Sequence, residues 1–161
     1  MVGYPKHTRL PVVVGALTLG VGALPFVGAP TPAGLLELYQ QPTYRVVTGL
    51  VLTVLVAWQW SFVFLRRRPH ADVKGLLVQH LWLGAAAPLL LLVHALSSGY
   101  GYQIALVWVF LFNCALGLLS PRVAGRQQRG VDRLWLPLHI VGSISVVALV
   151  VIHVVVVTRY H

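Results

Sequence analysis

Residues 79–94 read QHLWLGAAAPLLLLVH, an apolar run that carries a histidine near each end. The same spacing of fourteen residues returns within 138–154, LHIVGSISVVALVVIHV. On an α-helix, fourteen residues rise about 21 Å and complete nearly a whole number of turns, so the two histidines share one side of the helix at two depths. The pattern therefore predicts two helices with paired histidines, which are His80, His94, His139 and His153.

The composition of the chain indicates a membrane protein. Of its 161 residues, 58% are hydrophobic and 9% are charged, whereas soluble domains carry about 25% charged residues. The formal net charge is +9, but the basic residues lie in short segments between apolar runs, which favours membrane topology over a nucleic-acid partner. Cys114 is the only cysteine and Met1 the only methionine. These counts exclude a Cys-x-x-Cys-His haem attachment, a Cys-ligated iron–sulfur cluster within this chain and an ordinary Met axial ligand.

Hydropathy predicts an all-α membrane protein, a bundle of five transmembrane helices in a single integral membrane domain of residues 1–161. Crossing the bilayer takes about 20 apolar residues. The basic head before the first run also fits a cleaved signal peptide, but a signal h-region has only about 7–15 residues, so we expect a retained first span. A Pro-bounded connector predicts an interfacial helix at about 31–42. The predicted spans are about 10–29, 44–65, 75–96, 103–119 and 134–158.

The basic residues are distributed unequally between the two predicted sides of the membrane. Two of them, Arg45 and Arg159, fall on one side. The other ten fall on the side of the amino terminus: Lys6, Arg9, Arg66, Arg67, Arg68, Lys74, Arg122, Arg126, Arg129 and Arg133. Because cytoplasmic loops are enriched in Lys and Arg, we expect a cytoplasmic amino terminus and an outside carboxyl terminus. The expected location is the inner (plasma) membrane of a prokaryote, as a multi-pass protein.

In this topology the two histidine-bearing spans run parallel, so their histidines match in depth. His80 and His139 lie near the inner boundary, and His94 and His153 lie in the outer leaflet. The arrangement predicts two haems b, with the first pair on the inner haem iron and the second pair on the outer haem iron. Small residues beside the histidines would let a porphyrin approach the helices, and Ser97, Ser98, Ser143 and backbone carbonyls are candidates for anchoring the other ring nitrogen of each ligand. Zinc and a proton relay are the open alternatives. They are disfavoured because the two levels lie too far apart for one tetrahedral site and because no carboxylate lies inside a span.

The two His-x13-His helices resemble the ferric reductase-like transmembrane domain of NADPH oxidases and metalloreductases. They also resemble the haem core of the cytochrome b of quinol–cytochrome c oxidoreductases. The resemblance covers about 44–158 and is carried by His80, His94, His139 and His153. It implies a haem scaffold but not a substrate, because two family features are missing from the 161 residues. These are the flavin and nicotinamide domain of the first family and the Pro-Glu-Trp-Tyr motif of the second.

The leading functional hypothesis is transmembrane electron transfer by the cytochrome b subunit of a larger redox complex, with other redox subunits and quinone as candidate partners. No catalytic residue is predicted, and whether the chain is itself an enzyme is left open. A first alternative is a self-standing reductase of metal ions or oxygen. A second is a histidine-bearing transporter or assembly factor without a redox role. The sequence shows no dinucleotide fingerprint, phosphate loop or nucleophile–base set.

Overall fold

The computed structural model describes residues 9–28, 30, 33–97, 99–120 and 129–160. Helices cover 87% of these residues, and no strand occurs among them, which confirms the predicted all-α class. The helices group into two compact units, unit 1 (Met1–Leu96) and unit 2 (Ser97–His161). Each unit carries one of the two histidine-bearing helices. The prediction of a single integral membrane domain stays a prediction.

Unit 1 contains four α-helices among its described residues. They are α1 (Arg9–Ala23), α2 (Ala33–Gln40), α3 (Pro42–Leu65) and α4 (Val73–His94). A 3-10 turn, Leu24–Val27, prolongs α1 and ends at Gly28, whose φ of 86° places it in the left-handed region that favours glycine. Asp72 caps the amino end of α4, and its carboxylate accepts a hydrogen bond from the backbone N–H of Gly75 at 3.0 Å. Helix α4 packs against both α1 and α3, so it is the central helix of its unit.

Unit 2 contains α5 (Tyr102–Leu118) and α6 (Arg129–Tyr160), which pack against each other. The sequence predicted a polar loop over 121–133, but α6 already begins at Arg129. Backbone hydrogen bonds hold a helix whatever the polarity of its side chains, so a helix can extend beyond the apolar part that meets the lipid. Residues 121–128 of the predicted loop lie outside the described part. The other half of α6 remains helical through the valine-rich run 146–157.

Four helical segments in the described residues are long and apolar enough to cross a membrane. They are Leu10–Val27, Pro42–Leu65, Val73–His94 and Leu134–Tyr160. Their outward faces carry many exposed apolar side chains, for example Val46, Leu50 and Val54 on α3, which a bilayer would cover. The chain is therefore a multi-pass membrane-associated protein. Helix α5 is apolar but has only 17 residues, a rise of about 25 Å against a hydrocarbon core of about 30 Å. The five-helix bundle thus stays a prediction.

Helix α1 lies close to α4 because its contact face consists of small residues. Pro11, Gly15, Thr18 and Gly22 are all buried and recur every three or four positions. The hydroxyl of Thr18 donates to the carbonyl oxygen of Ala85. A Cβ on Gly22 would lie 2.5 Å from the carbonyl oxygen of Pro88, so the two backbones meet at this point. Small residues that let backbones approach are the usual basis of helix packing in membranes.

Side chains of α3 donate hydrogen bonds to backbone carbonyls in both halves of α4. Near the α4 carboxyl end, the hydroxyl of Tyr44 donates to the carbonyl oxygen of Val93 at 2.9 Å. That carbonyl belongs to the last turn of α4, where the helix itself supplies no donor. Nearer the amino end, Nε2 of Gln59 donates to the carbonyl oxygen of His80 at 3.2 Å. The two contacts set the register of α3 against α4, and that register places α3 side chains beside both histidines of α4.

The predicted orientation can be tested at the two ends of α4. In a Cys114→Ala background, we expect Ser97→Cys to react with an impermeant maleimide added to the outside of intact cells, and Arg67→Cys to stay unlabelled. Both positions are exposed, and the unequal distribution of basic residues is the physical reason for the expectation. Labelling after cell lysis is the control for both variants. Labelling of Arg67→Cys alone in intact cells would show that the orientation is the opposite of the predicted one.

Candidate functional site

The four predicted histidines lie on the two helices that the sequence assigned to them. His80 and His94 are on α4 of unit 1, and His139 and His153 are on α6 of unit 2. All four are half-buried. Within each helix the two members of a pair are separated by fourteen residues of continuous helix, a rise of about 21 Å. Each unit therefore presents histidines at two levels.

His80 lies against an aromatic ring of α3. Its imidazole stacks on Phe62, with ring centroids 5.0 Å apart and an interplanar angle of 30°. The guanidinium of Arg66 also lies over the Phe62 ring, 5.8 Å from its centroid. One turn beyond His80, a Cβ on Gly84 would lie 3.3 Å from Nε2 of Gln59. The glycine thus leaves room for the amide that also bonds the His80 carbonyl.

His94, the last residue of α4, fits into a gap in the surface of α3. Its Nδ1 lies 3.2 Å from the hydroxyl oxygen of Thr48. A Cβ on Gly49 would lie 2.8 Å from Cε1 of the imidazole, so a larger residue at position 49 would force the ring to shift. The ring therefore has a polar contact at Nδ1 and a glycine beneath Cε1, both supplied by consecutive residues of α3.

His139 is held in unit 2 by a tryptophan of its own helix. Its imidazole stacks on Trp135, with centroids 5.5 Å apart and planes nearly parallel at 10°. The indole Nε1 of Trp135 donates to the carbonyl oxygen of Leu116 on α5 at 2.6 Å, which anchors the stacked pair. A Cβ on Gly117 would lie 3.6 Å from Cε1 of His139, an ordinary contact distance. Helix α5 thus passes directly beside the ring.

The backbone one turn after His139 carries a small polar cluster. The hydroxyl of Ser143 donates to the carbonyl oxygen of His139 at 2.7 Å. Nδ2 of Asn113, on α5, donates to the Ser143 hydroxyl at 3.1 Å. A Cβ on Gly142 would lie 2.7 Å from the amide oxygen of Asn113. The structure thus places Asn113 beside the turn that follows a candidate ligand.

His153 meets the first residue of α5. The hydroxyl oxygen of Tyr102 lies 3.3 Å from Nδ1 of His153, and the two rings are tilted at 55° with centroids 6.1 Å apart. A phenol can donate or accept a hydrogen bond. Tyr102 therefore occupies, for His153, the place that Thr48 occupies for His94: a hydroxyl at Nδ1 from the first turns of the preceding helix.

The surroundings of the histidines repeat from one unit to the other. In both units, the first histidine of the pair stacks on an aromatic ring. In both, a side-chain amide of the preceding helix lies over a glycine one turn later, Gln59 over Gly84 and Asn113 over Gly142. In both, the second histidine meets a hydroxyl at Nδ1. The sequence revealed the repeated spacing, but these neighbours lie on other helices and no spacing rule identifies them.

The candidates for anchoring the second ring nitrogen can be located in part. The sequence had suggested Ser97, Ser98, Ser143 and backbone carbonyls for this role. The structure instead places the hydroxyls of Thr48 and Tyr102 at Nδ1 of His94 and His153. Ser143 bonds the backbone of His139, and Ser97 is exposed. Ser98 lies outside the described residues.

The residues present are chemically suited to a flat iron porphyrin. Imidazoles are common axial ligands of haem, and two of them complete the coordination of one iron. In neither unit do three or more His, Cys, Asp or Glu side chains come together as a metal site within the described ranges. A tetrahedral zinc site needs three or four such ligands, so the zinc alternative gains no support, whereas a haem needs only two.

Comparisons of the chain with protein families, with curated proteins and with solved structures found no match. The resemblance of the histidine pattern to two-haem cytochromes therefore stays a prediction. The features of this chain that bear on its function are the four histidines, the side chains that contact them and the apolar helices that carry them.

Proposed function

We propose that this chain is the membrane subunit that holds two haems b and carries electrons across the bilayer, with His80 and His139 at the inner haem iron and His94 and His153 at the outer one. The observation that supports the proposal is the repeated environment of the two histidine pairs. Two apolar helices each carry two imidazoles, one at each level, and the neighbours at each level are of the same types. Helix packing alone does not require such a repeat. Intramembrane ionisable residues are functional by default.

A haem b held by two imidazoles is a low-spin, six-coordinate centre suited to electron transfer rather than to oxygen binding. The side chains of the chain would hold the imidazoles in place. Phe62 and Trp135 restrict the ring planes of His80 and His139 through stacking. Thr48 and Tyr102 contact Nδ1 of the other two. Partners of this kind orient a ligand and raise its basicity.

Electrons would enter and leave through other redox groups. The 161 residues contain no dinucleotide fingerprint and no cysteine cluster, so flavin, nicotinamide and iron–sulfur chemistry would come from other domains or subunits. A quinone is the membrane-soluble candidate for exchange. We therefore propose that the chain works within a redox complex in the inner membrane of a prokaryote, and that it shows little steady turnover alone with nicotinamide donors or metal chelates.

The test is the haem content of the chain purified in mild detergent from a haem-replete host. We expect a reduced-minus-oxidised spectrum of the b type and about two haems per chain, because two pairs of imidazoles supply two sets of axial ligands. A quinol should reduce part of the haem. A chain that folds, by its helical circular dichroism, but carries no haem would overturn the proposal. Fast turnover of NADH or a metal chelate by the isolated chain would favour the self-standing reductase.

A further inference from the structure

Helix α3 presents three neighbouring residues to the carboxyl end of α4. Tyr44 holds the carbonyl of Val93, Thr48 lies at Nδ1 of His94, and Gly49 leaves the space that the ring occupies. Tyr44 and Thr48 are four residues apart and share one face of α3. Each of the three contacts acts on a different part of α4: the helix end, one ring nitrogen and one ring edge. We call Tyr44, Thr48 and Gly49 the His94 seat.

The hydrogen bonds of Thr48 bear on which nitrogen of His94 carries the proton. A threonine hydroxyl has one hydrogen to donate and two lone pairs to accept with. The shortest contact of Oγ1 is with the carbonyl oxygen of Tyr44, at 2.8 Å, and a carbonyl can only accept. The hydrogen of Thr48 is thus committed to α3, and its lone pairs face Nδ1 of His94 at 3.2 Å. With that hydrogen on α3, a hydrogen bond between Thr48 and His94 requires Nδ1 to be the donor.

We infer that the His94 seat fixes the neutral imidazole as its Nδ1–H tautomer, which makes Nε2 the nitrogen with the lone pair and therefore the ligating atom. The inference deepens the proposed function, because it assigns Thr48 as the positioning residue of the outer haem ligand. The tautomer itself exists whether or not haem binds. Gly49 leaves room for the ring in this position, since a Cβ there would lie 2.8 Å from Cε1.

The chain offers a matched control on the same helix. Thr53 also lies on α3 and also donates to a carbonyl one turn earlier, that of Gly49 at 2.8 Å. Thr48→Val and Thr53→Val each remove a hydroxyl that donates to the carbonyl one turn earlier. Only the first also removes the contacts with His94 and with the carbonyl oxygen of Arg45, at 3.2 Å each. Thr48→Ser restores the hydroxyl without the methyl group.

The first arm of the test needs no haem. Two-bond nitrogen–proton spectra of the 15N-histidine-labelled chain in micelles, at alkaline pH where imidazoles are neutral, report the tautomer, and His94→Gln assigns the signal. We expect Nδ1–H for His94 in the unmodified chain, in Thr53→Val and in Thr48→Ser, and a mixture of tautomers in Thr48→Val. An Nε2–H signal in the unmodified chain, or an unchanged signal in Thr48→Val, would overturn the inference.

The second arm uses the haem-loaded chain. A hydrogen bond from Nδ1–H makes an axial imidazole more basic and stabilises ferric iron, so Thr48→Val should raise the midpoint potential of one haem, while Thr48→Ser and Thr53→Val leave it near its original value. Equal potentials in all four proteins would contradict the positioning role. If no haem binds in any of them, the proposed function fails, but the tautomer arm still decides the inference about Thr48.

Discussion

His94→Leu should lower the haem content of the purified chain from about two per chain to about one. Leucine keeps the apolar character of the helix end but removes the imidazole, and a haem that loses one of two axial ligands in a site with no replacement is expected to dissociate. His153→Leu should remove the same, outer haem. His80→Leu and His139→Leu should each remove the inner haem. Haem is measured by the pyridine haemochrome assay against protein concentration.

Double variants test the pairing as well as the ligands. His94→Leu combined with His153→Leu should retain one haem, because both members of one pair are lost, whereas His80→Leu combined with His94→Leu should retain none. Gln79→Leu is the control, since Gln79 is an exposed polar residue of α4 next to His80, and this variant should keep two haems. Two haems per chain in His94→Leu would refute the ligand assignment.

Gly22→Ala should destabilise unit 1 more than its single methyl group suggests. The added Cβ would lie 2.5 Å from the carbonyl oxygen and 2.8 Å from the carbonyl carbon of Pro88. These are backbone atoms of the partner helix, and Pro88 is fully buried, so α1 and α4 must separate. Overpacking of this kind costs about 1–3 kcal/mol. The measurement is the thermal unfolding of the chain in detergent, followed by circular dichroism.

Gly20→Ala provides the comparison on the same helix. Gly20 is exposed, and a Cβ there would have no atom within 4 Å in the described residues. Alanine is the better helix former by about 0.5–1 kcal/mol, so this variant should be as stable as the unmodified chain or slightly more stable. Equal unfolding temperatures for Gly22→Ala and Gly20→Ala would show that α1 and α4 do not meet at Pro88.

The sequence predicted the apolar helices well because hydropathy and helix length act locally along the chain. The predicted span 44–65 corresponds to α3 (Pro42–Leu65), and 75–96 to α4 (Val73–His94). It failed at the start of α6, where basic residues suggested a loop. Hydropathy locates the part of a helix that meets lipid, whereas the helix itself depends on backbone hydrogen bonds, so it can include the polar segment Arg129–Arg133.

The candidate site was predictable only in part, since its ligands repeat along the chain and its supporting residues do not. Thr48 and Tyr102 look like ordinary residues near the ends of spans until the register of neighbouring helices is known. A shift of one residue in α3 would turn Thr48 away from His94 by about 100°. Such a register depends on contacts such as Tyr44 to Val93, which join residues 49 positions apart and leave no periodic signal.

The valine-rich run of α6 has a consequence for the biogenesis of the protein. Nine of the twelve residues 146–157 are Val or Ile, without proline or charge, a composition that in water favours extended strands and cross-β aggregation. In the hydrocarbon core a segment must satisfy its own backbone groups, and only the helix does so within one span. The segment is thus stable as a helix in lipid but prone to aggregate in the cytosol. We therefore expect the insertion machinery to bind it as it leaves the ribosome.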